Sequence, residues 1–311
     1  MPSPAERLPE SDPLIDKSSI RIKSPALAGI EKSLLQNIGS LESLLGMPRL
    51  LVCFLGVVRD MSFISFKHAV QASIAKDNVE GTAPSLFEQL DSYVDNHERF
   101  RQLWSGSGEE LKKLCESETS YGLRLTAAME VLKLAVVSGS WTALECAASD
   151  CWVAALNQSP TPLAHRAITS MPQENEITEI SSKQIPVGLA AKYNFDLRNC
   201  LGTILKPKFD FTSIAGIKKA FTVAFKGSDQ IAQLQRILSD PVLWELEVTR
   251  NLIVHRAGIV DEEYNKLLSA DLPLGKSLEL TDNSVRTFAE KSAIAAAAVL
   301  IFVDDRLNTQ T

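Results

Sequence analysis

Apolar residues recur at three- and four-residue spacing over most of the chain, which is the repeat of amphipathic α-helices. The first such segment starts at Pro25, and Gly46-Met47-Pro48 predicts its end. A second apolar segment runs from Leu50 to Ile74, where β-branched and aromatic residues leave a strand at 63–66 as an alternative to a bent helix. A further predicted helix starts near Ser85.

The longest predicted helix spans Tyr121 to Asn157, and Ser159-Pro160-Thr161-Pro162 predicts its end. The polar, proline-bearing segment from there to about Ser182 is predicted to be a long loop. Shorter helices are predicted over residues 186–205, 213–224, 229–238, 241–257 and 262–268, with a closing helix over 285–307 that starts after Asp282 or Ser284. The sequence therefore predicts an all-α fold.

Composition divides the chain into three predicted regions. Residues 1–24 carry four prolines, several serines and mixed charge, which predicts a flexible tail. The sequence Ser105-Gly106-Ser107-Gly108 interrupts the helical pattern and places a boundary near residue 117. Residues 25–117 are then an additional N-terminal helical region of unknown role, and residues 118–311 are a helical bundle.

Net charge and cysteine content argue against several classes of protein. The chain has 311 residues and a formal net charge of -6, which argues against a protein that coats nucleic acid or an anionic membrane. Its five cysteines form no Cys-x-x-Cys pair and have no histidine at zinc-ligand spacing, which predicts a reduced, intracellular chain without a metal site. The first seven residues are proline-rich and lack the apolar core of a signal peptide, so we do not expect secretion. The runs 50–58 and 293–303 are shorter than the ~20 residues of a membrane span. We expect a cytoplasmic protein.

Reactive side chains cluster at one place, in the predicted helix that ends near residue 257. Asn251 and His255 are an i, i+4 pair on one helical face, and Glu247 lies on the same stripe. Arg250 lies roughly 100° round the helix from Asn251. The intervening residues 252–254 are apolar and are predicted to anchor the helix in a core.

The segment from Trp244 to Asp261 resembles the HEPN superfamily, whose signature is an arginine, four to six residues and then a histidine. Here the signature is Arg250-Asn251-x-x-x-His255, followed by Gly258-Ile259-Val260-Asp261. The upstream pair Trp141-x-x-x-Glu145 and the closing apolar helix are similar to HEPN bundles as well. The resemblance covers about residues 120–311 and does not extend to the N-terminal region.

The resemblance implies a helical bundle that dimerises and cuts RNA without a metal or other cofactor, as toxins and anti-phage effectors do. It assigns the candidate catalytic role to Arg250, Asn251 and His255, with Glu247 and Glu145 as supporting residues. RNA and a second copy of the chain are the implied partners. An antitoxin or a regulatory protein is a further possible partner, and the resemblance does not imply a membrane.

Such cleavage needs a base, an acid and a cation, and these residue types can supply them. A histidine ring, with an unperturbed pKa of about 6.5, can accept or donate a proton near neutral pH. An arginine fork binds phosphate oxygens in pairs. The other histidines, at 68, 97 and 165, lie in unrelated patterns, so an acid and base pair of histidines requires two chains.

A locally basic segment runs against the global acidity. Between Lys183 and Lys226 there are eight Lys or Arg against two Asp, and Lys206, Lys208, Lys218 and Lys219 are its candidates for phosphate contact. The alternative for these lysines is a solvated bundle face. The alternative for Arg250, Asn251 and His255 is a buried polar cluster with a structural role. The alternative for the protein as a whole is a non-catalytic helical module that binds RNA, a nucleotide or a protein.

Overall fold

The computed structural model describes residues 13–48, 51, 120–170, 187–194, 196–197 and 199–309. These residues form helices joined by turns, and their only strand-like feature is an isolated antiparallel bridge between Ile259 and Ser277. The all-α prediction is confirmed. The helix predicted from Ser85 and almost all of the segment from Leu50 to Ile74 lie outside the described residues.

The α-helices of the described part are numbered here in chain order. Short 3-10 helices occur at Lys17–Ser19, Pro25–Leu27 and Lys206–Lys208, and a π-helical turn occurs at Pro160–Ala164. The α-helices are α1 (residues 28–48), α2 (Ser120–Gln158), α3 (His165–Thr169), α4 (Val187–Lys192), α5 (Leu201–Leu205), α6 (Ile214–Ala224), α7 (Ile231–Ile237), α8 (Pro241–Arg256), α9 (Glu262–Leu268) and α10 (Asp282–Asn308).

The chain divides into two compact units, and the division differs from the predicted boundary. One unit combines Met1–Leu44 with Leu132–Thr311, and the other is Leu45–Val131. Most of the second unit lies outside the described residues. Helix α1 as far as Leu44 lies in the first unit with the C-terminal helices, whereas the predicted boundary is near residue 117.

Helix α1 carries a stripe of buried side chains, and one of them, Leu41, packs against α2. Leu34, Ile38 and Leu41 are at most 3% exposed, as the three- and four-residue spacing predicted. A side chain on Gly139 of α2 would come within 3.1 Å of the Leu41 methyl group, so the two helices meet closely there. The N-terminal helix thus completes the core of the first unit.

Residues 13–24 are packed against the same unit, which corrects the flexible tail predicted for residues 1–24 over that part. Leu14 and Ile20 are about 5–6% exposed. The buried Asp304 carboxylate of α10 accepts hydrogen bonds from the backbone of Lys23 at 3.0 Å and of Ser24 at 2.7 Å. The sequence pattern missed this because the contact joins residues about 280 positions apart.

The centre of the core lies between α2, α6 and α10. Trp152 of α2 is fully buried, contacts the rings of Phe209 and Phe211, and donates its indole N–H to the Ala220 carbonyl at 3.1 Å. On the other side, the Ser292 hydroxyl of α10 donates to the Ser140 carbonyl of α2. The longest predicted helix, from 121 to 157, is therefore confirmed and is the central element of the bundle.

Two predicted segments differ from the observed ones. The loop predicted after residue 159 contains the π-helical turn and α3, whose apolar residues Leu163, Ala164 and Ala167 are buried. The single helix predicted over 186–205 is divided into α4 and α5 by turns around Asn194, which has a left-handed φ of 51°. At α5, packing contributes to this difference, because Gly202 lies against the Val153 backbone of α2 and its N–H donates to the Asn157 side chain at 2.8 Å, contacts that local periodicity does not reveal.

Helix α2 over Leu125–Gln158 is long and apolar enough to cross a membrane, and 44% of its most apolar window is buried inside the protein. The core helix of a protein without any membrane part has the same length and composition. This helix alone therefore does not indicate a membrane span.

Candidate functional site

Helix α8 carries the candidate residues, and its sequence fixes both of its ends. Asp240 is the N-cap and accepts a hydrogen bond from the Val242 backbone at 3.0 Å, while Pro241 occupies the first helical position. The helix ends at Ala257 and Gly258, which both have left-handed φ angles, of 52° and 76°. The sequence predicted this conformation for Gly258 and not for Ala257.

The two halves of α8 have different surroundings. Its first half and middle are buried on several sides, at Leu243, 246–249 and Leu252. Its last turn emerges into solvent, so that Val254 is 54% exposed and His255 is exposed. The prediction that residues 252–254 anchor the helix holds for Leu252 and is wrong for Val254.

A cleft of about 520 Å³ opens beside this last turn. Arg250, Asn251 and His255 all line it, and Glu247 lines its inner part. Opposite α8, the cleft is bounded by α9 and by the residues that precede α6. The structure therefore brings four of the five candidate residues from the sequence into one cleft.

The fifth candidate, Glu145 of α2, reaches this group through Arg250. One guanidinium nitrogen of Arg250 donates to the Asn251 side-chain oxygen at 3.0 Å, and the other lies 3.9 Å from the Glu145 carboxylate. The same Glu145 oxygen accepts the Trp141 indole N–H at 2.9 Å. Glu145 is thus hydrogen-bonded to Trp141 of its own helix and forms an ion pair that draws the Arg250 side chain toward α2.

The His255 ring is left open at the mouth of the cleft. Among the residues that the structure describes, no side chain or backbone group forms a hydrogen bond or ion pair with it. Its neighbour Arg256 is paired with Asp261 at 3.4 Å. An exposed ring with both nitrogens available can exchange protons with a bound molecule.

Glu247 is buried, and burial shapes its chemistry. Its carboxylate accepts the Ile214 backbone N–H at the start of α6 at 2.7 Å. Desolvation raises the pKa of Glu247, and the nearby Asp210 carboxylate adds to this; the Ile214 hydrogen bond and the Arg250 charge act in the opposite direction. Glu247 therefore connects α8 to the start of α6 at the buried side of the cleft.

We expect Glu247→Gln to raise the free energy of unfolding more at pH 8 than at pH 5. The folded chain raises the pKa of this carboxyl above its ordinary 4.5, so the cost of burying the charge is absent below pH 4.5 and fully present above the folded pKa. Gln keeps an oxygen that can accept the Ile214 N–H and carries no charge. Urea unfolding at both pH values measures the difference.

Glu245→Gln, on the exposed face of the same helix, is the matched control and should show a smaller difference between the two pH values. A Glu247→Gln effect that is equal at pH 5 and pH 8 would contradict the assignment of the cost to the buried charge.

None of the four candidate lysines lines the cleft. Lys206 lies 3.1 Å from the Ser149 hydroxyl and 3.5 Å from Asp150, and Lys218 donates to the Ser239 hydroxyl at 2.6 Å. Lys208 and Lys219 are exposed. The four lysines therefore lie outside the cleft, and their contact with phosphates stays a hypothesis.

Sequence reasoning missed the α9 side of the cleft. Glu263 and Leu267 line it, one helical turn apart, and Tyr264 between them is buried with its hydroxyl 3.3 Å from that of Thr249. The sequence shows that Glu263 and Leu267 are four residues apart. Only the packing of α9 against α8 shows that both face the cleft. No group of three or more His, Cys, Asp or Glu in the described part has the arrangement of a metal site.

The chain matches no family model, no curated protein and no solved structure.

Proposed function

We propose that the protein is a metal-independent endoribonuclease of HEPN type, of the kind that acts as a toxin or anti-phage effector. The observation that carries this proposal is that Arg250, Asn251 and His255 line one open cleft, and that the exposed His255 ring has no hydrogen bond or ion pair with any described residue. A cation and a proton-transfer group beside each other suit the cleavage of a phosphodiester.

In the proposed reaction the 2′-hydroxyl oxygen of RNA attacks the adjacent phosphorus while a neutral His255 ring accepts its proton. The P–O5′ bond then breaks, and a protonated histidine donates a proton to the leaving 5′-oxygen. The products are a 2′,3′-cyclic phosphate and a 5′-hydroxyl. Arg250 stabilises the negative charge that develops on the phosphorane oxygens.

Among the described residues, one chain contributes one histidine to the cleft, so in this proposal the acid and the base come from two chains. His255 is the only histidine that lines the described cleft. The active unit in this proposal is a homodimer in which the last turns of two α8 helices face one RNA strand. The exposed position of His255 at the helix end makes it accessible to a second chain.

The proposal is tested by incubating the purified chain with end-labelled RNA in excess EDTA. We expect cleavage that leaves 2′,3′-cyclic phosphate ends, because no step requires a divalent ion. Light scattering at the assay concentration should show a dimer. Cleavage that occurs only after a divalent ion is added would contradict the chemistry, and an RNA-cleaving monomer would contradict the composite site.

One observation favours the non-catalytic alternative, a helical module that binds RNA without cutting it. The Arg250 guanidinium is already hydrogen-bonded to Asn251 and lies near Glu145. In a nuclease, some of the Arg250 N–H groups must bind a phosphate instead of Asn251 or Glu145 when RNA binds. RNA that is retained by the protein but stays intact over the whole assay would support the binding module.

A further inference from the structure

The cleft contains three carboxylates, and two of them are already engaged. Glu247 accepts the Ile214 N–H. Asp261 caps α9 by accepting the Tyr264 N–H at 2.8 Å, and its second oxygen lies 3.4 Å from Arg256. The third, Glu263, is exposed and forms no hydrogen bond or ion pair in the described part of the chain. It is the carboxylate that can bind a ligand without breaking an existing contact.

An apolar surface lies next to this free carboxylate. Leu267 is four residues after Glu263 on α9, so the two side chains are neighbours on one helical face. Leu267 is 43% exposed and lines the same cleft. The α9 wall thus offers an acceptor pair beside an apolar patch, while the α8 wall offers Arg250 and His255.

The chemistry of the two walls suits different parts of a nucleotide. A carboxylate only accepts hydrogen bonds and repels a phosphate, so Glu263 can recognise a base and not the backbone. Among the four RNA bases, guanine alone presents two adjacent donors on its Watson–Crick edge, N1–H and the N2 amino group. Two carboxylate oxygens match these two donors, and Leu267 can contact the face of the ring.

We propose that Glu263 and Leu267 form a base-binding subsite for guanine, so that the preferred substrate is RNA with guanine next to the scissile phosphate. This inference rests on the proposed function, since it places that phosphate at Arg250 and His255. The cleft volume of about 520 Å³ lies in the range of about 300–1,000 Å³ that small-molecule sites occupy. A cleft of this volume has room for one nucleotide.

The subsite is tested by calorimetric titration of the full chain with guanosine 3′- and 5′-monophosphate and with the corresponding nucleotides of the other three bases. We expect a guanosine nucleotide to bind about 5- to 150-fold more tightly than the others. Glu263→Gln should remove this preference and leave binding of the other nucleotides within about twofold, because Gln presents one donor and one acceptor instead of two acceptors.

Glu262→Gln is the matched control, since Glu262 is an exposed neighbour on the same helix that does not line the cleft. It should retain the guanine preference. Equal affinity for all four bases, no binding of any nucleotide, or equal losses in the two variants would overturn the subsite. Guanine-selective binding without RNA cleavage would sink the nuclease proposal alone, and cleavage without selectivity would sink the subsite alone.

Discussion

Replacing His255 with alanine is expected to lower the rate of RNA cleavage by about 10²- to 10⁴-fold, because a positioned general acid or base contributes a factor of that size. In a symmetric dimer the substitution removes the proton donor and the acceptor together, which places the loss toward the upper end. The exposed position of the ring predicts little effect on folding. Initial rates on labelled RNA in EDTA measure the loss.

His165→Ala is the matched control, because His165 is also exposed but starts α3 and does not line the cleft. Its cleavage rate should equal that of the wild type. Circular dichroism should confirm that both variants are folded. Equal rates for the wild type and His255→Ala would show that the ring has no part in catalysis.

Replacing Trp152 with alanine is expected to reduce the free energy of unfolding by about 3–5 kcal/mol, the usual cost of truncating a fully buried aromatic side chain. The indole is 0% exposed, and the rings of Phe209 and Phe211 lie 4.8 and 5.5 Å from it. Its removal leaves a cavity where α2 and α6 meet. Urea denaturation followed by circular dichroism measures the change.

Trp152→Phe keeps part of the aromatic packing at the same position and removes the indole hydrogen bond. It keeps an aromatic ring against Phe209 and Phe211 and loses the indole donor to the Ala220 carbonyl, so we expect a cost of about 1–2 kcal/mol. A loss below about 1 kcal/mol for Trp152→Ala would mean that the neighbouring helices collapse into the space.

Local sequence signals predicted the elements that depend on neighbouring residues. Asp240 with Pro241 and Asp261 mark helix starts because a carboxylate satisfies backbone N–H groups two or three residues later. The closing helix was predicted too, although Thr281 is its N-cap, accepting the Ser284 N–H at 3.0 Å, and Asp282 is its first residue. Threonine, aspartate and serine compete closely for this role, so the sequence alone did not separate them.

The candidate site was predictable on one helix and not across helices. The i, i+4 spacing of Asn251 and His255 follows from helical geometry, and the cleft contains both. Glu263 and Leu267 belong to the same cleft only because α9 folds back against α8. In that contact the Thr249 and Tyr264 hydroxyls lie 3.3 Å apart, and no local sequence pattern predicts it.

The carboxylate of Asp304 sets a limit on how the protein can be shortened. It is 2% exposed, and the donors described for it are the backbone N–H groups of Lys23 and Ser24. A fragment confined to residues 118–311 would keep the charge and lose these donors, at a cost of about 1–3 kcal/mol or more for a buried unsatisfied group. Such a fragment would also uncover the surface of α2 that α1 covers. The backbone of Lys23 and Ser24 therefore acts as a built-in ligand of the closing helix, and its removal would weaken the scaffold that holds α8 in place.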